Sequence, residues 1–176
     1  MRSMPTIVPE TPKDSHTIYE VVRAAFESDT EPSLVDGIRN SSAFIPELSL
    51  VARDTNDSTV IGHVMFSRLR VGNSDEGPLG LVLAPLAVAP SRQGEGVGSQ
   101  LVYVGLDRAT ELGYRFVVLH GPPEYYHRFG FSPAERFGFE NPFDTPSREF
   151  MAAELVASGL EGMSGNLKYP EAFKHL

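Results

Sequence analysis

The sequence predicts one domain of the α/β class, in its α+β form with a mixed sheet, because strand-like and helix-like segments alternate along the chain. Strand-like segments outnumber helical ones, and no internal repeat, low-complexity stretch or linker interrupts the order. We therefore expect residues 1–176 to form a single domain. The longest apolar run, residues 79–90, is too short to cross a bilayer, which takes about 20 residues.

The first half of the chain predicts an edge strand, two helices and two further strands. Asp14 or Ser15 precedes a helical repeat of apolar side chains and is suited to cap it. Pro32 fits the first turn of the second helix. The predicted elements are, in order, a strand at 5–10, helices at 14–28 and 32–40, and strands at 48–54 and 59–71 joined by the turn-rich TNDS.

The second half of the chain centres on the apolar run at 79–90, which is typical of a strand buried on both faces. Pro85 lies in its middle, where a paired strand needs an N–H, so we expect a bulge at which this strand parts from a neighbour. A helix is predicted at 95–112, with Gly113 as its C-terminal stop. Its buried face is expected to carry Leu101, Val102, Gly105, Ala109 and Leu112. A strand at 115–120, a short helix at 122–129 and a late strand at 150–156 follow.

Composition and charge exclude several classes of protein. The net charge of −8 and the pI near 5.1 argue against a nucleic-acid partner, since phosphate contacts need clustered lysine and arginine. With no cysteine, the chain has no disulfide, thiolate metal site or cysteine nucleophile. The first ten residues contain no apolar stretch of signal-peptide length. We therefore expect a cytoplasmic protein without a membrane, nucleic-acid or metal partner.

The stretch RQGEGVG, residues 92–98, places three glycines at alternate positions between the buried strand and the following helix. A helix N-terminus offers unpaired N–H groups and a positive dipole end, and glycine lets an anion approach that backbone closely. The alternative is a tight turn with a purely structural role. Two common phosphate-binding loops are excluded, because Ser99 follows Gly98 where one loop needs lysine and the other needs a third glycine.

Residues 93–98 (QGEGVG) resemble the [QR]-x-x-G-x-[GA] signature of the Gcn5-related N-acetyltransferases (GNAT). The segment YYHRFGF at 125–131 is similar to the Y-x-x-x-G-F segment of the same family. The likeness extends along nearly the whole chain and is to the YhbS-like branch of the superfamily. One departure is Gly121-Pro122-Pro123, where relatives usually carry Gly-Asp-Pro, so any role of that carboxylate is absent here.

The resemblance implies the GNAT acyl-CoA N-acyltransferase fold, in which the middle strands of a mixed sheet splay apart, and it implies acetyl-CoA as cosubstrate. The pantetheine arm would lie in the splay and pair with the backbone of Leu86 and Val88 like an added strand. The N–H groups of residues 94–99 would hold the pyrophosphate. The cofactor-binding residues implied in this way are Leu86, Ala87, Val88, Gln93, Gly94, Glu95, Gly96, Val97, Gly98, Ser99, Tyr125 and Phe129.

The activity implied by the resemblance is transfer of the acetyl group from acetyl-CoA to a primary amine of a small molecule, peptide or protein, by direct attack in a ternary complex. Tyr126 occupies the family position of a phenol near the coenzyme sulfur and would protonate the departing thiolate; the alternative is that it only packs. Two other functions stay open, namely a non-catalytic CoA-binding regulatory module and an acyltransferase with a different acyl donor or a hydroxyl or thiol acceptor. A homodimer is also left open.

The acceptor side is expected at residues 26–40, the segment that covers this site in the family. Its carboxylates, set against Arg39 alone, favour a cationic amine, although a solvated acidic helix face gives the same pattern. A chain of water molecules is the alternative to a dedicated general base. The predicted substrate contacts are Phe26, Asp29, Glu31 and His63, and the candidate bases are Asp29, Glu31, His63, His120 and His127.

Overall fold

The computed structural model describes residues 3–176 and folds them into an eight-stranded sheet with four α-helices. The strands are β1 (Thr6–Pro9), β2 (Ser49–Arg53), β3 (Val60–Val71), β4 (Leu79–Val88), β5 (Phe116–His120), β6 (Ser132–Pro133), β7 (Phe150–Glu154) and β8 (Leu167–Lys168). The helices are α1 (Ser15–Phe26), α2 (Thr30–Arg39), α3 (Val97–Glu111) and α4 (Pro123–Tyr126). Within the described residues, no helix is both long and apolar enough to cross a membrane.

The sheet is mixed and has helices on both faces. Its strands lie in the order β1–β2–β3–β4–β5–β7–β6, with β8 paired to the outer end of β3. All neighbours are antiparallel except β4 and β5, which run parallel. One face packs against α3 through Leu101 and Val102, and the other packs against α1 and α2 through Ile18 and Leu34. The predicted mixed α/β class is confirmed.

The centre of the sheet opens where β4 leaves β5. The two strands pair only through Leu81 with Val117 and Val82 with Val118, although β4 continues to Val88. On its other side, β4 stays paired to β3, but the register shifts between Val64 and Phe66. This shift leaves one extra residue in β4 next to Pro85, which has no N–H to donate. The bulge predicted at Pro85 is confirmed, but it interrupts the pairing with β3, whereas β4 parts from its other neighbour, β5, already after Val82.

The backbone of the glycine-rich segment is not α-helical up to Gly96, and the helix begins after it. Gly94 and Gly96 have φ of 80° and 87°, in the left-handed region that glycine adopts most readily. Helix α3 therefore begins at Val97 rather than at the predicted residue 95. At its other end the helix stops at Glu111, so Leu112, predicted on the buried face, is 45% exposed.

The start of α1 also differs from the prediction. Asp14 holds the N-cap position, but its carboxylate makes no capping hydrogen bond to that helix. Instead, Oδ2 accepts hydrogen bonds from the Thr11 N–H at 2.7 Å and from Arg53 Nη2 at 2.6 Å. Asp14 therefore closes the turn before α1 and ties it to β2.

Candidate active site

A cleft of about 540 Å³ lies where β4 and β5 separate. One wall is β4 around Pro85 together with the segment that runs from the end of β5 into α4. The opposite wall comes from α1, α2, the segment before β7 and the C-terminal 3₁₀ turn. The lining residues are Phe26, Glu31, Leu34, Val82, Leu83, Ala84, Pro85, Leu86, His120, Gly121, Pro122, Tyr126, Phe143, Asp144, Thr145, Phe173 and Leu176.

A second cavity, of about 300 Å³, lies at the N-terminus of α3. The two cavities are neighbours along β4, because Leu86 lines the cleft and Val88, two residues further along the strand, lines the second cavity. In α4, the adjacent residues Tyr126 and Tyr125 likewise divide between the two cavities, since Tyr126 lines the cleft and Tyr125 lines the second cavity. The lining residues of this second cavity are Val88, Arg92, Gln93, Gly94, Gly96, Val97, Gly98, Ser99, Tyr125 and Arg128.

The glycines of the loop serve two different purposes. A Cβ added at Gly94 or Gly96 would meet no atom within 4 Å, so their positive φ is what requires glycine. Gly98 has no such backbone angle, but a Cβ there would lie 2.9 Å from Tyr125 Oη. The first two glycines therefore shape the turn, and the third lets Tyr125 approach the helix closely.

Polar side chains fasten this loop to the sheet. Gln93 donates from Nε2 to the Val88 carbonyl at 3.0 Å, which joins the loop to the end of β4. Arg92, only 6% exposed, contacts Asp54 at 2.6 Å and Glu95 at 3.0 Å. The Glu95 side chain thus lies against Arg92 and does not line the second cavity. These contacts tie down the loop whose glycines line the second cavity.

Aromatic side chains of α4 lie beside both cavities. Tyr126 is 9% exposed, and its ring makes edge contacts with Tyr125 and Phe131 at centroid distances of 4.9 and 6.0 Å. Burial, with a smaller contribution from Tyr125, raises the pKa of the Tyr126 hydroxyl above its ordinary value, at which the phenol is already protonated at neutral pH. Phe129 lines neither cavity and packs against Tyr103 and Tyr125. Ala87 is 2% exposed and also lines neither cavity.

The structure divides the predicted acceptor residues into two groups. Phe26 and Glu31 line the cleft, whereas Asp29 lies outside it and accepts hydrogen bonds from Tyr19 and Arg23 at the surface. His63 is fully buried, with Nε2 2.9 Å from Ser49 Oγ, and burial lowers its pKa. His63, for which an acceptor contact was predicted, therefore lies inside the fold and does not line the cleft.

Of the other candidate bases, only His120 lines the cleft. Its ring stacks on Phe150 at 4.9 Å, and Nε2 and Nδ1 lie 2.8 Å and 3.3 Å from the hydroxyls of Tyr169 and Thr145. Burial lowers the pKa of His120 to about 4, so the imidazole is neutral at pH 7. His127 is exposed and lines neither cavity.

The charge of the cleft is acidic. Glu31 and Asp144 line it, and no lysine or arginine stands among its described lining residues. The Glu31 Oε2 atom is buried and makes no hydrogen bond within residues 3–176. Sequence reasoning named Glu31 but missed Phe143, Asp144, Thr145 and Phe173 in the cleft and Arg128 at the second cavity. In the described part of the chain, no group of three or more His, Asp or Glu side chains is arranged to hold a metal ion.

Known proteins are similar in sequence to this chain over nearly its whole length. The sequence pattern of the acetyltransferase (GNAT) family matches residues 15–131. The N-acetyltransferase YhbS of Escherichia coli (strain K12) is 38% identical over 164 residues, which cover 93% of this chain and 95% of YhbS. The N-acetyltransferase YjhQ of the same organism is 36% identical over 159 residues, covering 88% of this chain and 86% of YjhQ.

Solved structures match the fold as well. The crystal structure of YhbS from Escherichia coli in complex with CoA has a TM-score of 0.90 at 35% identity, covering 99% of this chain and 94% of that chain. A GNAT family acetyltransferase from Brucella melitensis, in complex with acetyl-CoA, has a TM-score of 0.77 at 32% identity, covering 98% of this chain and 99% of that chain. The splayed sheet, the glycine loop and these relatives agree, and the chain belongs to the acetyltransferase (GNAT) family of acetyl-transferring enzymes.

Proposed function

We propose that this protein transfers the acetyl group of acetyl-CoA to a primary amine, which attacks the thioester directly while both substrates are bound. The observation that carries the proposal is the path along β4, on which the cleft at Leu86 is followed by the cavity at Val88. Such a path suits a long ligand with an anionic end and a reactive end. The relatives from Escherichia coli and Brucella melitensis were solved with CoA and acetyl-CoA.

The anionic end of the donor fits the second cavity. The N–H groups of residues 94–99 stand at the positive end of α3, a 15-residue helix, and this arrangement stabilises a diphosphate. The Arg128 guanidinium lines the same cavity and adds positive charge. Side-chain hydrogen bonds from Gln93 and Ser99 are further contacts that we expect there.

The pantetheine arm fits the splay between β4 and β5. Leu86 pairs with Val64 of β3 on one side, but it has no strand partner toward β5, where pairing ends at Val82. An extended ligand with two amides is able to occupy that side of β4 as an added strand would. The thioester then comes to lie in the cleft lined by Tyr126.

The chemistry requires one C–N bond to form and one C–S bond to break. The free amine attacks the thioester carbonyl, the tetrahedral intermediate collapses, and the thiolate leaves. Tyr126, a phenol at neutral pH, donates the proton that converts the thiolate into a thiol, and it then regains a proton from water. The proton lost by the amine passes to water in the open cleft.

The proposal is tested by incubating the protein with acetyl-CoA and a panel of primary amines, then following products by mass spectrometry. We expect at least one amine to gain an acetyl group, with one CoA thiol released for each amide formed. Tight CoA binding with only background hydrolysis across the panel would contradict acetyl transfer to amines and favour a CoA-binding module.

A further inference from the structure

We infer that the acceptor is a monoamine whose amino group is attached to an apolar body, and that Glu31 receives its ammonium group. This inference rests on the proposed function and adds the chemical class of the acceptor. Its basis is the wall of the cleft opposite β4, which combines one buried carboxylate oxygen with several apolar side chains.

Glu31 supplies the anionic contact. It stands in the first turn of α2 and lines the cleft, and its Oε2 atom is buried without a hydrogen-bond donor in the described chain. A buried carboxylate oxygen without a donor is costly, and an ammonium group entering the cleft would supply up to three N–H donors. No lysine or arginine among the described lining residues competes for this position. His120 is neutral at pH 7, so it does not repel a cation.

Apolar side chains line the same cleft as that carboxylate. Phe26, Leu34, Phe143 and Phe173 line the same wall, and Phe26 is 41% exposed despite its size. Phe143 is held in place by edge contacts with His120 and Tyr169 at 5.0 and 5.1 Å. A large exposed phenylalanine beside a preformed aromatic wall marks a surface suited to an apolar ligand.

The same wall disfavours polycationic and strongly polar acceptors. A second ammonium would lose water against the phenylalanines, and the other carboxylate of the cleft, Asp144, is exposed. A short polar amine would leave the aromatic wall uncovered and gain nothing from it. An amine with an apolar body satisfies both Glu31 and the phenylalanines.

The test compares initial rates at saturating acetyl-CoA for three acceptors, 2-phenylethylamine, ethanolamine and spermidine. We expect kcat/KM for 2-phenylethylamine to exceed both others at least about tenfold. The Phe26→Ala variant, altered at an exposed position, should lower the ratio of kcat/KM for 2-phenylethylamine to kcat/KM for ethanolamine. If ethanolamine or spermidine is acetylated as efficiently as 2-phenylethylamine, the inference is wrong while amine acetylation itself stands.

The role of Glu31 is tested by a matched pair of charge-removing variants. Glu31→Gln should raise KM for 2-phenylethylamine at least about tenfold and leave KM for acetyl-CoA unchanged. Asp29→Asn removes a carboxylate two residues away, outside the cleft, and should leave both constants at the parental values. Equal effects of the two variants would overturn the assignment of Glu31. Failure of the parent to acetylate any amine would instead overturn the proposed function.

Discussion

At the residue scale, burial shifts the pKa of two ring side chains that line the cleft, in each case in favour of the neutral form. Burial raises the pKa of Tyr126, which remains a phenol, and lowers the pKa of His120 to about 4, which leaves a neutral imidazole. Both residues were named from the sequence. The shift at His120 was not predictable, because it depends on its burial beside Phe150 and Tyr169, which only the fold brings to this histidine.

The role of Tyr126 as proton donor makes a kinetic prediction. Tyr126→Phe keeps the ring contacts and removes only the hydroxyl, so we expect KM for acetyl-CoA to be unchanged. In contrast, kcat should fall about 10²-fold or more, the contribution typical of general acid catalysis. Tyr103→Phe is the matched control, because Tyr103 is 51% exposed and lines neither cavity. A single-turnover rate near the parental value for Tyr126→Phe would mean that Tyr126 only packs.

The burial of His120 makes a prediction about stability and pH. Its pKa is about 4 in the folded chain against 6.5 for an ordinary histidine, so between these values the unfolded state binds the extra proton. Stability from the neutral ring is present above pH 6.5 and is lost as the pH falls toward 4, by about 3 kcal/mol in total. We therefore expect the free energy of unfolding, measured with urea, to fall between pH 7.5 and pH 4.5 by about 2 kcal/mol more in the parent than in His120→Gln. Equal losses in the two proteins would show that His120 does not titrate in this way.

At the element scale, long periodic segments were predicted and very short ones were not. The helix at 14–28 and the strands at 59–71 and 79–90 have enough residues for the apolar pattern to be read, and each is present within a few residues. Strands β6 and β8 contain two residues each, which is too few for any alternation. Their pairing is decided by neighbours far along the chain.

The site divides in the same way, because its proposed donor side was predictable from local sequence and its proposed acceptor side was not. The proposed donor half comes mostly from one local segment, the end of β4 with the loop into α3, whose glycines and Pro85 could be identified in the sequence, and Tyr125 and Arg128 complete it. The acceptor half is assembled from separate segments, so Phe143 and Phe173 gave no local signal. Asp29 and Glu31 were predicted together, but Asp29 pairs with Arg23 at the surface whereas Glu31 lines the cleft.

At the scale of the whole molecule, the proposed donor and acceptor sides of the site meet at the central sheet. Strand β4 lies in its centre, is paired to β3 along most of its length and is free toward β5 only beyond Val82. The proposed donor cavity and the proposed acceptor cleft therefore share strand β4, whose position is set by the core. Helices α1 and α2 and the C-terminal turn then close the acceptor side.

A crystal structure of the protein with bound CoA tests the placement of the donor most directly. We expect the diphosphate within about 2.7–3.2 Å of N–H groups of residues 94–99, the range of a normal hydrogen bond. The pantetheine should lie between β4 and β5, with its sulfur beside Tyr126. CoA bound elsewhere on the molecule, or a diphosphate beyond reach of the glycine loop, would contradict the proposed donor site.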